Sequence, residues 1–322
     1  MCLSKSSNPF FSIIVPTYNR YKYLKRAIES VLSQDYANCE IIILDDHSTD
    51  ETETYCHNVK RIYSNIRYVR NEMNLGMAAN VSKGMQYVKG LYFAVLNDDD
   101  WYLPGFFEKA HAFYKEFPEM GYFAGQTILL DNQYQVIEIM PNYEKAFEAK
   151  EAFPEVFLEK FPFWLSMIFS SKVLDSVSIN IQCSCFDADF ILQVVDQFSG
   201  KVIKEPVAIF FCHDHSFSTQ INKIFFASDF VDLYLRYSNQ FCSKKAELKM
   251  LMRCIEFRLA EQALQICSLK KHSIKKILMI LCRNSFSNRI FLLLLNVRRK
   301  LKSLLKKRKT NDSWNSNNYI QF

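Results

Sequence analysis

Glycine and proline are scarce in this 322-residue chain, at 7 and 8 residues. That composition excludes collagen-like and low-complexity material. No GxxxxGK[ST] occurs, and no GxGxxG follows the first apolar run, so a phosphate cradle of backbone amides is missing. P-loop NTPases and nicotinamide dehydrogenases are therefore disfavoured. The 10 Cys include no C-x-x-C pair. The close pair Cys183-Ser-Cys185 lacks a matching His/Cys set, which speaks against a zinc site. Reduced thiols of a cytosolic protein fit better than a disulfide framework. The start, MCLSKSSNPF, has no long apolar stretch, so no signal peptide is expected. No internal repeat is visible.

Apolar side chains are abundant. Hydrophobic residues make up 49% and aromatics 15%, with 28 Phe and 17 Tyr, enough for a sizeable core. FSIIV (11–15) is a short β-branched run ending at Pro16 and reads as a buried strand. YKYLKRAIESVLSQ (21–34) places Leu24, Ala27, Ile28, Val31 and Leu32 at helical spacing. EIIIL (40–44) predicts a second strand, and Ser48 with Glu51 has capping-box spacing for a helix start. IRYVR (66–70) predicts a third strand, and residues 76–88 a helix with Met77, Val81, Met85 and Val88 on one side. LYFAVL (91–96) predicts a fourth strand. Pro104 is then placed to open a helix with Phe107, Ala110, Tyr114 and Phe117 inward. Strand and helix alternate with crossovers long enough for parallel connections, the signature of a doubly wound α/β sheet.

Such sheets bind ligands outside the carboxyl ends of their strands. Pro16, Thr17, Tyr18, Asn19 and Arg20 follow the first strand, Asp45 and Asp46 the second, and Asn97, Asp98, Asp99 and Asp100 the fourth. An isolated acidic triplet reads as a solvated turn. At the end of a buried strand it reads as a set of hard oxygen ligands for Mg²⁺ or Mn²⁺. Such an ion would relieve the repulsion among the aspartates and take phosphate oxygens. Asp45 and Asp46 have two readings: caps of the following helix, or acceptors for a base N–H with Tyr18 against the ring.

VPTYNR (15–20), LDDHSTDET (44–52), NLGMAANVSKG (74–84) and LNDDDWYLP (96–104) resemble, in order and spacing, the family 2 glycosyltransferases of the GT-A fold. The resemblance covers roughly residues 10–125 and extends more loosely to about 220. It implies a mostly parallel, Rossmann-like sheet flanked by helices, and transfer of a sugar from a nucleotide diphosphate, usually of uridine. By resemblance Pro16, Thr17, Tyr18, Asp45 and Asp46 line the base site, Asn80 joins the nucleotide site, Asp98 approaches the ribose and Asp99 binds Mn²⁺ or Mg²⁺. The chain departs from the family at two positions. Asn97 stands where an Asp is common, so metal binding rests more heavily on Asp99. Ala79 stands where an Arg is frequent, so a donor contact is lost or supplied elsewhere.

CFDADFILQVV (185–195) by itself suits an amphipathic helix start. It resembles the family's acidic acceptor-side motif, which makes Asp187 the general base, with Asp189 as the alternative. In FFCHDHSFS (210–218) the resemblance makes His213 a metal ligand near the diphosphate, with His215 as the alternative. Trp101 and Trp164 have sugar-stacking and core readings.

Charge is unevenly distributed. Residues 270–309 hold 14 of the 40 Lys and Arg and no acid, leaving 26 basic against 34 acidic residues elsewhere, a balance of −8. The apolar run there, IFLLLL, is 6 residues long, whereas about 20 are needed to span a bilayer. Basic residues beside apolar faces fit a helix lying on an anionic membrane surface. The expected organisation is a nucleotide-sugar-binding half (1–125), an acceptor half (126–240), a basic helical membrane-associating segment (241–309) and a flexible tail (310–322). The expected partners are a nucleotide-sugar donor and a glycan or lipid-linked acceptor, not nucleic acid, at the cytoplasmic membrane face. Two rivals stand beside this reading: a metal-dependent nucleotidyltransferase, and a scaffold of the same fold without turnover.

Overall fold

A computed structural model describes residues 10–213 together with Asp229, Asp232, Leu233, Tyr234, Arg236 and Tyr237. The basic segment (241–309), the tail and His215 lie outside the described residues. The first half runs β1 (Phe11–Thr17), α1 (Tyr21–Leu32), β2 (Cys39–Asp45), α2 (Thr52–Ile62), β3 (Ile66–Arg70), α3 (Met77–Met85) and β4 (Tyr92–Val95). A two-residue strand β5 (Trp101–Tyr102) and helix α4 (Phe106–Glu116) follow. Then come β6 (Tyr122–Leu130), β7 (Val136–Met140), β8 (Lys145–Phe147), α5 (Phe153–Phe157), β9 (Met167–Ser170), α6 (Phe186–Gln197) and β10 (Gly200–Phe211).

These strands form one sheet in the order β3-β2-β1-β4-β9-β6-β10-β5, with β7 on β6 and β8 on β10. The first four strands are parallel to one another. Strand β9 inserts antiparallel between β4 and β6, and β10 again runs parallel to β6. This is the mostly parallel α/β sheet expected. β6 crosses the expected boundary at residue 125, so the two halves share one sheet.

Every residue of β1 is buried, as its apolar run requires. The strand continues through Pro16, which pairs with Leu44 of β2. Proline is tolerated there because of which way its nitrogen faces. Ile14 accepts the Leu96 N–H on the β4 side. Pro16, two residues on, points the same way, past the last β1–β4 pair at Ile14 and Val95.

Three local expectations are corrected. Ser48 does not cap α2, which starts at Thr52 without a side-chain cap. Asp50 Oδ1 accepts the Thr52 N–H at 3.0 Å instead, while Ser48 Oγ accepts the N–H of Asn19. Helix α4 opens on Gly105, at φ 84°, rather than on Pro104. Its buried face is Phe106, Phe107, Ala110, Phe113 and Tyr114, with Phe117 only partly covered. The turn needs the left-handed backbone that glycine supplies. Aromatics fill the core, with Tyr92 stacked on Tyr114 and Phe93 on Phe169. Each fully buried Phe contributes about 1.5–3 kcal/mol. Trp164 belongs to this core, edge-on to Phe186.

Candidate active site

The carboxyl ends of β1, β2 and β4 meet at one edge, and internal hydrogen bonds shape them. Asn19 adopts a left-handed φ of 53°, and its Oδ1 accepts the Thr49 N–H at 2.7 Å. Tyr18 is thereby left open at that edge, 44% exposed. Pro16 and Thr17 are buried behind it.

Asp45 and Asp46 face inward, 0% and 3% exposed. Asp45 accepts the Ser48 N–H at 2.8 Å and the Tyr68 hydroxyl at 2.6 Å. Asp46 accepts the N–H groups of Leu75 and Gly76 and the Asn71 amide, each at 2.8 Å. Its carboxylate therefore ties β2 to the N-terminus of α3, where negative charge is favoured. Asn80 completes this network, donating to Leu44 O at 3.0 Å and accepting from Asn71 at 2.8 Å. These three side chains order the edge from within, and Tyr18 is the group they leave accessible.

The acidic cluster after β4 divides its tasks. Asp100 is almost wholly buried. It accepts the Asn97 amide at 2.8 Å and the Phe211 N–H at 2.9 Å, fastening the turn to the end of β10. Burial, then the charge of Asp99, holds its carboxyl well above the usual range. Asp98 and Asp99 share one cation: Arg20 Nη1 lies 3.2 Å from Asp98 Oδ1 and 2.8 Å from Asp99 Oδ2. Burial pushes Asp98 up to about 7; Asp99 adds to the rise and Arg20 opposes it. Burial pulls the Arg20 guanidinium down, but the two aspartates outweigh it and leave it raised.

Strand β10 brings His213 to the same point, with Nε2 at 3.1 Å from Asp99 Oδ2. The imidazole stacks on Tyr23 of α1, ring centroids 4.6 Å apart. Arg26, also on α1, lies 3.7 Å over the Trp101 ring and donates to the Asp99 carbonyl at 2.8 Å. Burial lowers the Arg26 guanidinium. Trp101 thus serves as a platform for Arg26. Ser30 of the same helix and Gln34, two residues past its end, hold the following loop, taking the Tyr102 and Phe106 N–H groups. Helix α1 is in this way the brace of the acidic turn.

Among the described residues no three His, Cys, Asp or Glu side chains converge as a metal cage. The available donors are Asp99 Oδ2 and His213 Nε2, 3.1 Å apart. Adjacent corners of an octahedron with bonds of about 2.1 Å lie about 3 Å apart. The pair therefore fits one edge of a Mg²⁺ or Mn²⁺ site completed by phosphate oxygens and water, the usual way Mg²⁺ is held. Metal binding through Nε2 requires the proton on Nδ1, which has the Tyr23 hydroxyl 3.5 Å away.

Asp187 and Asp189 lie in the first turn of α6. Asp187 is half-buried, accepts the Ala188 N–H at 2.8 Å, and is raised by desolvation. Asp189 is 0% exposed and pairs with Arg236 at 2.8 Å. Desolvation raises it and Arg236 opposes the rise. Asp229 accepts the N–H and hydroxyl of Ser184, both at 2.8 Å, so residues from beyond β10 grip the turn before α6. Cys183 and Cys185 are free thiols with sulfurs 3.5 Å apart.

Sequence reasoning assigned no role to Arg20 or Arg26, and it grouped Asp100 with the candidate metal ligands, whereas Asp100 fastens the turn to the end of β10. Arg20 carried a signal, since it directly follows the first motif at the ligand edge. Arg26 carried none, because its partner on the acidic turn lies 73 positions away.

Solved glycosyltransferases share this fold. S. aureus TarS residues 1–349, in complex with UDP-GlcNAc, match with a TM-score of 0.64 at 18% identity, over 83% of this chain and 79% of that one. The mannosyltransferase PcManGT of Pyrobaculum calidifontis, in complex with GDP-Man and Mn²⁺, matches at 0.54 and 14% identity, over 95% and 84%. The fold class is therefore GT-A. Residues 12–149 match the family model described as glycosyl transferase family 2. The GalNAc(5)-diNAcBac-PP-undecaprenol beta-1,3-glucosyltransferase of Campylobacter jejuni is 37% identical over 98 residues, 30% of this chain and 32% of that protein. The chain spans about a third of the length of the first curated relatives it matches, 31% and 32%. The family match ends before Asp187 and His213.

Proposed function

We propose that the protein is an inverting, metal-dependent glycosyltransferase. It moves a sugar from a UDP-sugar to a hydroxyl of a lipid-linked or cell-surface glycan. The observation that carries this reading is the meeting of Asp98, Asp99, Arg20 and His213 at the carboxyl edge of the family 2 segment. TarS with UDP-GlcNAc supports the donor class, and the Campylobacter relative, whose name specifies an undecaprenol-linked acceptor, supports the acceptor class.

Tyr18 offers an exposed ring for the base, and Asp98 an acceptor for ribose hydroxyls. Asp99 and His213 would hold Mn²⁺ or Mg²⁺, which supplies positive charge against the departing diphosphate. Asp187 takes the proton of the acceptor hydroxyl as that oxygen bonds to the anomeric carbon. The bond from that carbon to the diphosphate breaks on the opposite face, inverting the centre, and UDP leaves. Asp189, neutralised by Arg236, holds the turn rather than the proton. Among the described residues no helix is long and apolar enough to cross a membrane. In this proposal the basic residues 270–309 hold the enzyme at the cytoplasmic membrane face.

The test is UDP release from a panel of UDP-sugars with a polyprenyl-diphosphate glycan, with and without Mn²⁺. Metal-stimulated release that needs acceptor supports the reading. Pyrophosphate formed from sugar phosphate and UTP would instead make the protein a nucleotidyltransferase. Nucleotide-sugar binding without release would make it a scaffold.

A further inference from the structure

We propose that Arg20 is an exchangeable internal cation. It holds the Asp98–Asp99 pair while the donor site is empty and transfers to the donor's diphosphate when the metal arrives. The inference rests on the metal-dependent reading above and gives Arg20 a part in donor binding that the reading leaves unstated.

The geometry behind it is specific. One guanidinium nitrogen, Nη1, reaches both carboxylates, at 3.2 and 2.8 Å. Its contact on Asp99 is Oδ2, the same oxygen that receives His213 Nε2 at 3.1 Å. That oxygen therefore already accepts from a permanent positive charge beside the imidazole. A divalent ion on this oxygen would sit within a few ångströms of the guanidinium, where like charges repel strongly. One guanidinium offsets only part of the charge the two carboxylates can carry, so the empty site attracts a cation but already holds one. A metal competes for the two carboxylates and weakens the two ion pairs they make with Arg20.

The guanidinium also has a destination. Arg20 sits at the N-terminus of α1, directly after the strand end that carries Tyr18. Its side chain is 21% exposed, enough for the head group to turn toward a ligand at that edge. A planar guanidinium matches phosphate oxygens in a two-point contact. Metal and nucleotide would then bind cooperatively, because each improves the site for the other.

The test uses the full chain, with Mn²⁺ binding followed by electron paramagnetic resonance and UDP binding by calorimetry in saturating Mn²⁺. Wild type, Arg20→Gln, Arg20→Lys and Asp99→Asn are compared. Arg20→Gln is expected to bind Mn²⁺ alone about tenfold more tightly than wild type, since the competing cation is gone. It should bind UDP about tenfold more weakly, since the phosphate contact is lost. Arg20→Lys keeps the charge and should stay near wild type for Mn²⁺. Asp99→Asn should lose Mn²⁺ binding in every condition. A merely structural arginine would weaken both ligands or neither when replaced. Either pattern, with UDP still promoting Mn²⁺ binding to wild type, overturns the exchange and leaves the metal site standing. Wild type that takes up no Mn²⁺ even with UDP overturns the metal reading and this proposal with it.

Discussion

Replacing Arg236 by Ala removes the cation that faces Asp189. Asp189 is 0% exposed and its Oδ1 lies 2.8 Å from the guanidinium. Leaving a buried carboxylate without its partner costs about 3–5 kcal/mol in a fully dry pair. The Arg236 side chain is 50% exposed, so water already screens the interaction. The expected loss is therefore nearer 1–2 kcal/mol at pH 8. The sign with pH follows from linkage. Desolvation raises Asp189 in the folded protein, and Arg236 limits the rise. Without Arg236 the folded pKa climbs further above the unfolded value. Below the unfolded pKa both states carry the proton and there is no penalty. As pH rises between the two values, the folded state alone keeps it, so stability falls. Urea denaturation at pH 5 and pH 8 should show the gap between wild type and Arg236→Ala widening with pH. The double variant Arg236→Ala/Asp189→Asn should close most of it, having no buried charge to leave unpaired. A gap of equal size at both pH values would refute the electrostatic account and leave lost packing as the cause.

Asp99→Ala should abolish metal-dependent UDP binding, read by thermal shift with UDP and Mn²⁺, while the protein remains folded by circular dichroism. Asp187→Ala should leave donor affinity unchanged and slow transfer by about 10²–10⁴-fold. Because desolvation raises Asp187, the acidic limb of the wild-type kcat/KM profile should lie above the ordinary carboxylate range, with activity rising as pH increases through it. Unchanged turnover in this variant would move the base to Asp189 or another group. Gly84→Ala should destabilise the fold by about 1–3 kcal/mol, since its Cβ would clash with Leu44 Cδ1 and meet Ile14 Cγ2 at 2.9 Å. Urea midpoints measure that loss, and an unchanged midpoint would mean α3 shifts freely on the sheet.

Much of the first half of the sheet was legible. IRYVR (66–70) coincides with β3, and the runs at 11–15 and 40–44 lie inside β1 and β2. Buried parallel strands are continuous β-branched runs, so composition alone marks them. Helix faces were legible where spacing is regular, as on α1. Capping was not, because Ser48 and Asp50 compete for the same few amides and only the loop's path decides between them.

The roles of the acids were less legible. Asp45, Asp46, Asp98, Asp99 and Asp100 are chemically alike and all end a strand. Asp46 and Asp100 receive backbone amides from other segments, whereas Asp98 and Asp99 receive a guanidinium. Nothing within a few residues distinguishes them, since the partner comes from elsewhere in the chain.

By itself the amino-acid order determined that this chain alternates buried strands with amphipathic helices. It also placed polar and acidic groups at the strand ends, because both features are local and periodic. Tertiary structure alone decided that β9 inserts antiparallel beside β4. It likewise set His213, 114 positions away, on Asp99, and made Arg20 the shared counter-ion. Those contacts arise from packing between distant segments, where an ångström of placement separates a ligand from a bystander and no sequence period records it.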